Sequence, residues 1–387
     1  MLRVLILSSR YPDAVRPQLG SFVEQLALRL AARPAVDVEV VAPVAVQPFP
    51  FTWRAQNRRL AQLPSEQDWN GIRVHRPRYV VPPRMGWAAA ATLERVLASM
   101  LPGLRERFPY DVLAAQFFWP EGPAAARIGR TIGVPASIKA RGQDVEPARW
   151  RRSRGLILEA GRAADGLLAV SAPLRERMIA LGLPAEKIAV HHTGIDRSLF
   201  ACRDRAAAKA ALGIEGPLLL WAGNLVARKR PLLALETLLL LPGATLLIAG
   251  SGPERRPIEA RATALGIADS VRLLGPVSPM RMAQLYAAAD VTLHTACSEG
   301  LSNVWIESLT AGTPIVVAEL DAAKRLIAGH AAGRVVPADP AALALAVHEI
   351  LTSPPAQEKV AAATAAFSWE QSASEFEKHL QALLARQ

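Results

Sequence analysis

The stretch Val291-Thr-Leu-His294-Thr-Ala-Cys-Ser-Glu299-Gly300-Leu301-Ser302-Asn303-Val-Trp-Ile-Glu307-Ser-Leu-Thr-Ala-Gly312-Thr-Pro314 decides the fold. A short apolar run, Val291–His294, predicts a strand. A polar loop follows, then a helix over Ser302–Ala311 and a new strand at Ile315–Val317. Strand, helix and parallel strand in this order make a βαβ unit. The layout places the N–H groups of Leu301, Ser302 and Asn303 at a helix start on the carboxyl edge of a sheet. Free N–H groups and the helix dipole both favour an anion there, and phosphate fits. Glu299 in the loop and Glu307 two turns into the helix suit sugar hydroxyls on either side of a diphosphate. The bland alternative makes Glu299 a loop residue and Glu307 a solvated helix residue. The apolar neighbours of Glu307 argue that it needs a partner.

Outward from this stretch the same alternation continues in both directions. Expected strands are Val4–Ser8, Val38–Ala42, Gly71–His75, Val112–Gln116, Ala136–Ala140, Leu167–Val170 and Ile188–His191. A second set comprises Leu218–Ala222, Thr245–Ala249, Val271–Leu274, Val291–His294, Ile315–Val317 and Arg334–Val336. Helices such as Phe22–Ala31, Gly122–Ile132 and Ala172–Ala180 lie between them. Runs with little polar alternation suit parallel strands covered on both faces. Two such sets are too many for one comfortable sheet, so the expected class is α/β with two tandem Rossmann-like domains. The expected domains are 1–193, joined by a C-terminal amphipathic helix over 369–387, and 194–368. Gln47–Trp69 lacks periodicity and reads as a long loop or broken helices.

Composition narrows the class. The chain has 387 residues, 51% hydrophobic and 20% charged, with a net charge of +11. The first 190 residues hold 27 basic and 16 acidic side chains, and the remainder 18 of each, so the whole excess lies in the first half. That asymmetry implies an anionic partner, nucleic acid or membrane. Two cysteines, Cys202 and Cys297, build no disulfide framework, and a reducing cytoplasm is the expected compartment. The N-terminal apolar run is too short for a signal peptide, and no span of 20 residues is apolar enough for a bilayer. There is no G-x-G-x-x-G after the first strand, no P-loop, no Asp-x-Asp pair and no H-x-x-x-H.

Glu299-x7-Glu307, followed by Ala311-Gly312-Thr313-Pro314, resembles the signature of the retaining family-4 glycosyltransferases of the GT-B fold. Four further stretches resemble that family in order. They are Tyr11-Pro12 to Gly20-Ser21-Phe22-Val23, Val170-Ser171 through Thr193-Gly194-Ile195-Asp196, Trp221-Ala-Gly223-Asn224 to Arg228-Lys229, and Ile248-Ala-Gly250-Ser-Gly252-Pro253-Glu254. The resemblance spans nearly the whole chain and points to the bacterial exopolysaccharide type. It implies a metal-independent, anomer-retaining hexosyltransferase that takes a nucleotide-diphosphate sugar as substrate and needs no cofactor. By that resemblance Glu299 holds the sugar, Glu307 the ribose and Lys229 the diphosphate, with Arg228 beside it. Gly20, Gly223, Asn224, Gly250, Gly252 and Gly300 to Asn303 complete the sugar-nucleotide side. The nucleotide sugar would bind mainly to the second domain and the acceptor mainly to the first, with reaction in the cleft between them.

Two positions depart from the family. Asn224 stands where many relatives carry an Arg, so one diphosphate cation is lost or supplied by Arg228. Lys139-Ala140-Arg141-Gly142-Gln143-Asp144 replaces the usual His-Gly-x-Asp, which puts Arg141 in place of the His. An Arg-Gly-x-Asp form occurs in some exopolysaccharide-type members, so Arg141 and Asp144 stay as catalytic candidates; a structural loop pair is the alternative. Trp119 and Glu121, before the helix expected from Pro123, are acceptor-side candidates.

The basic first half carries Arg54, Arg58, Arg59, Arg73, Arg76, Arg78, Arg84, Arg105, Arg107, Arg149, Arg151, Arg152 and Arg154. Trp53, Trp69, Trp87 and Trp150 are interleaved with them. Basic residues with amphipathic aromatics suit anionic lipid head groups. The expectation is peripheral binding to the inner face of the cytoplasmic membrane and a glycan or lipid-linked acceptor; the helix around Met85–Phe108 is apolar enough to dip into the interface, and equally reads as an ordinary domain helix. No nucleic-acid motif accompanies the charge, so no nucleic-acid partner is expected. A non-catalytic sugar-nucleotide scaffold, a basic nucleic-acid binder and a nucleotide-sugar epimerase are the rival readings.

Overall fold

The computed structural model describes residues 1–47, 55–81, 85–328 and 331–386. Trp53, Arg54 and Arg84 lie outside them. The chain divides into two units, one of residues 1–194 with 369–387 and one of residues 195–368.

The first unit contains β1 (Leu2–Leu7), β2 (Val36–Val41), β3 (Val44–Val46), β4 (Glu66–Trp69), β5 (Ile72–His75) and β6 (Arg78–Val80). It continues with β7 (Val112–Ala115), β8 (Ala136–Ala140), β9 (Gly166–Ala169) and β10 (Ile188–Val190). Its main sheet runs β10-β9-β8-β7-β1-β2-β5-β4, parallel except for β4, which pairs antiparallel with β5. β3 and β6 form a separate parallel pair. Val4, Ile6, Val38 and Val40 pack against Leu26 and Leu30 of the helix Ser21–Ala31. The C-terminal helix Trp369–Leu384 closes the same core with Trp369, Phe376 and Leu380, and it buries Leu383 as well.

The second unit contains β11 (Leu218–Ala222), β12 (Thr245–Ala249), β13 (Val271–Gly275), β14 (Val291–His294), β15 (Ile315–Ala318) and β16 (Gly333–Val336). All are parallel, in the order β13-β12-β11-β14-β15-β16. This is a doubly wound order, and its direction reverses between β11 and β14. All five residues of β11 are buried, on both faces of the sheet, which explains why its sequence reads Leu-Leu-Leu-Trp-Ala with no polar alternation.

Of Gln47–Trp69, expected as a long loop or broken helices, residues 48–54 lie outside the described residues; a short helix spans Ala55–Ala61, as broken helices would have it, and the strand β4 at Glu66–Trp69 corrects the rest. β4 is polar and lies at the sheet edge, where half-exposed Glu, Gln and Asp are tolerated and no apolar run betrays a strand. β3 and β6, three residues each, were also unexpected. Finally, the helix Ala89–Arg107 does not present its apolar stripe outward: Leu93, Leu97, Leu101 and Leu104 are all buried within the unit. Its hydrophobic face is core.

Candidate active site

At the reversal between β11 and β14 the carboxyl ends of adjacent strands part, and a crevice forms outside them. Two loops leave there, one after Ala222 and one after His294. The first contains Gly223, with φ 148°, whose N–H reaches the Ala249 carbonyl at 3.0 Å. Gly250 faces it so closely that a Cβ there would lie 1.8 Å from the Gly223 carbonyl oxygen. Gly252 is likewise held by the Leu225 carbonyl, 2.3 Å from where its Cβ would be. These two glycines are required by loop-on-loop contact. Asn224 is exposed, and its carbonyl accepts the Val226 N–H.

The loops are joined by hydrogen bonds. The Thr295 hydroxyl lies 2.8 Å from the carbonyl oxygens of both Lys229 and Arg230 and accepts the Trp221 indole N–H at 3.0 Å. Arg230, at φ 46°, donates to the carbonyls of Thr295 and Ala296. On this scaffold Lys229 Nζ forms an ion pair with Glu299 Oε1, both side chains being little exposed. Arg228 joins them, donating to the Ser298 carbonyl at 2.7 Å and reaching Glu299 Oε1 at 3.4 Å. The site therefore concentrates two cations on one carboxylate.

Beyond buried Gly300, Ser302 precedes the helix Asn303–Thr310 in extended backbone, and its hydroxyl makes no cap bond. Among the described residues the N–H groups of Leu301, Ser302 and Asn303 have no acceptor. Glu307 Oε2 accepts the Tyr286 hydroxyl at 3.1 Å. Burial pushes the Glu307 carboxyl up to about 7, against that hydrogen bond. His294 is buried edge-on to Trp305 at 5.1 Å, with Nε2 unpartnered. Burial, with Lys229 and Arg228 nearby, holds its imidazole well below its usual range and so neutral.

The first-unit candidates gather on the carboxyl edge of the other sheet. Gly20, at φ 71°, caps the helix Ser21–Ala31, and a Cβ would stand 1.9 Å from the Arg10 carbonyl oxygen. Contact within its own loop thus demands glycine. The Asp144 carboxylate accepts the backbone N–H groups of Phe118 at 2.6 Å and Arg141 at 2.8 Å. The Arg141 guanidinium donates to the Gln116 carbonyl and side-chain oxygens and stacks over Phe22 at 4.4 Å. Desolvation lowers it to about 9 and pushes the Asp144 carboxyl up. Both residues staple the loops after β7 and β8, which is what a structural pair does. The helix after β7 starts at Glu121, against an expected start at Gly122 or Pro123. Glu121 is fully buried, accepts the Ser9 N–H at 2.6 Å and keeps Oε2 without a partner, while Trp119 is partly buried.

Sequence reasoning missed Tyr286, Thr295 and Arg230. Thr295 and Arg230 adjoin residues already singled out. Tyr286 sits 21 residues before Glu307, and no spacing rule connects them. Among the described residues no group of three His, Cys, Asp or Glu gathers with the spacing of a metal site. No helix among them is long and apolar enough to cross a membrane.

Comparison with known proteins bears on the family and the fold. Residues 203–367 match the family described as glycosyl transferases group 1, and residues 19–194 match the glycosyl transferase 4-like domain. A D-inositol 3-phosphate glycosyltransferase from Acidothermus cellulolyticus is 30% identical, over 86% of this chain and 78% of that protein. A putative teichuronic acid biosynthesis glycosyltransferase from Bacillus subtilis is 26% identical over 91% of both chains. The crystal structure of Anabaena HepE in complex with UDP superposes with a TM-score of 0.74 at 18% identity, over 99% of this chain and all of that one. Two parallel Rossmann-like halves, the group 1 and 4-like matches and the full-length relatives lead to one conclusion: the chain belongs to the family-4 type glycosyltransferases of the GT-B fold.

Proposed function

We propose that this glycosyltransferase moves a hexosyl group, with retention at the anomeric carbon, from a nucleotide-diphosphate sugar to a glycan or lipid-linked acceptor in polysaccharide biosynthesis. The observation that carries the reading is the cluster of Lys229, Arg228 and Glu299 beside the unpaired N–H groups of Leu301 to Asn303. Breaking the sugar–phosphate bond builds negative charge on the leaving diphosphate, and preorganised cations and N–H groups stabilise it most in the transition state. In this reading the diphosphate draws Lys229 away from Glu299, whose freed oxygens accept sugar hydroxyls. Arg228 supplies the charge that Asn224 does not. Glu307 takes the ribose, and protein cations serve in place of a metal. The acceptor hydroxyl attacks the anomeric carbon on the face the diphosphate leaves, the C–O bond electrons go to the phosphate oxygen, and that oxygen takes the acceptor proton.

The UDP complex of HepE and the teichuronic acid relative support the choice of sugar nucleotide and pathway class. The acceptor side is assigned to the first unit, and the place of action to the inner membrane face. The test starts with thermal stabilisation by a panel of UDP-, GDP- and ADP-sugars, since a ligand of the native state raises its melting point. Transfer with the best one, followed by NMR of the product in the presence of a chelator, is expected to show the retained anomer at undiminished rate. Glu299→Ala and Lys229→Ala are each expected to lower kcat by about 100- to 1,000-fold. Normal turnover in both variants overturns the site assignment.

A further inference from the structure

The positive charge of the first unit is mostly consumed locally. Arg3 pairs with Asp111, Arg16 with Asp13, Arg73 with Glu66, and Arg127 with Glu94 and Glu159. Arg76 is buried, Arg78 donates to the carbonyls of Ala61 and Leu63, and Arg105 donates to that of Ile132. Trp69 is tied to Glu24. Exposed Arg58, Arg59, Arg95, Arg130 and Arg162 also make no ion pair among the described residues, but one run stands out for its density. Arg149, Trp150, Arg151, Arg152 and Arg154 lie within six residues without an acid between them, all exposed. Among the described residues Arg149, Arg151 and Arg152 have no carboxylate partner, and Arg154 reaches only the Leu181 carbonyl.

Trp150 is 54% exposed and Trp87 44%, and no other Phe, Tyr or Trp among the described residues is exposed. Arg149 lies over the Trp150 ring at 4.2 Å and Arg152 over the Trp87 ring at 5.0 Å. The second contact sets the turn Gly86–Ala88 beside the start of the helix Arg151–Ala163. Exposed Met85 adjoins that turn. Two indoles, a thioether and four guanidiniums therefore share one surface.

We propose that this surface docks on an anionic phospholipid bilayer, with the indoles at head-group depth and the guanidiniums on lipid phosphates. It rests on the reading of a membrane-associated acceptor and gives that reading an address. The charge is complementary to anionic lipid, and indole with guanidinium is the pairing an interface favours over either water or hydrocarbon. Single-stranded nucleic acid also uses basic and aromatic side chains, but it needs open ring faces for stacking. Here one face of each indole is already covered by a guanidinium.

The test uses the full chain in co-sedimentation with vesicles of mixed phosphatidylglycerol and phosphatidylcholine, and with vesicles of phosphatidylcholine alone. Binding to the anionic vesicles that weakens with salt is expected. The triple variant Arg149→Gln, Arg151→Gln, Arg152→Gln is expected to bind them about 100-fold less tightly. The double variant Trp87→Ala, Trp150→Ala is expected to weaken binding to the anionic vesicles as well. Thermal stabilisation by the sugar nucleotide reports that each variant is folded and that its transferase site is intact. Variants that bind like the wild type overturn the assigned surface while leaving the membrane reading in place. A wild type that ignores anionic vesicles overturns both, and transfer to a water-soluble acceptor then shows that the transferase reading survives. Tighter retention by single-stranded DNA than by vesicles overturns the choice of partner.

Discussion

Glu307 carries the most informative proton in the candidate site. Its folded value of about 7 lies above the ordinary 4.5, so the half-buried carboxyl keeps its proton as pH rises until about 7. An ionised carboxylate accepts hydroxyl hydrogen bonds more strongly than a neutral acid. Nucleotide affinity is therefore expected to rise about five- to tenfold as pH increases through that value, read by calorimetry. Glu307→Gln is expected to flatten this dependence, and an unchanged profile would remove Glu307 from ribose recognition. The Lys229–Glu299 pair shows how residue-level chemistry depends on neighbours. Each was legible as a site candidate from its loop, yet their contact, 70 residues apart in sequence, was not. The same holds for Arg141 and Asp144, whose motif spacing was plain but whose bonds to Gln116 and Phe118 bridge from the preceding strand.

Strands were more legible than the side chains they present. β11, β12 and β14 match the expected bounds to the residue, because each is a buried parallel strand, largely apolar in β11 and β12 and Val-Thr-Leu-His in β14, ended by a polar or glycine turn. β4 escaped because an edge strand need not be apolar, and β3 and β6 because three residues make no pattern. β8 hides a different feature. Lys139 is buried in a run of apolar residues, with Nζ 2.9 Å from His191 Nδ1, while His191 Nε2 donates to the Ser372 carbonyl of the C-terminal helix. Burial and then Arg141 push the amine well below 10.5, opposed by Glu375, and His191 is likewise pushed down. The unfolded chain binds a proton at Lys139 that the folded one sheds, so this group adds stability as pH rises toward 10.5 and none beyond it. Lys139→Met, which keeps the volume and removes the proton, is expected to lose that rise, and urea unfolding across the window measures it. A variant with the wild-type slope would place the proton elsewhere.

At the scale of the molecule, the chain leaves its first unit at residue 194 and returns to it at 369. The returning helix is amphipathic, and its apolar face completes the first core. Phe376 is 1% exposed and stacks on the His191 ring at 5.4 Å. Phe376→Ala is expected to cost about 3–5 kcal/mol, concentrated in the first unit. Calorimetry is expected to show a lowered first-unit transition beside an unmoved second-unit transition, which sugar-nucleotide stabilisation identifies. Equal shifts in both would mean that the helix serves the two units alike.

The excess charge of the first half was countable at the outset, but its use was not. Alternating apolar runs, turn residues and ordered loop motifs determined the doubly wound class, because strand and helix periodicity are local properties of a chain. Tertiary structure alone decided which arginines pair, which tryptophans stay exposed, that the helix Ala89–Arg107 hides its leucines, and that Tyr286 meets Glu307. Burial and pairing depend on partners brought together from distant parts of the sequence, and burial shifts the charge state of Glu307 and His294 in the site.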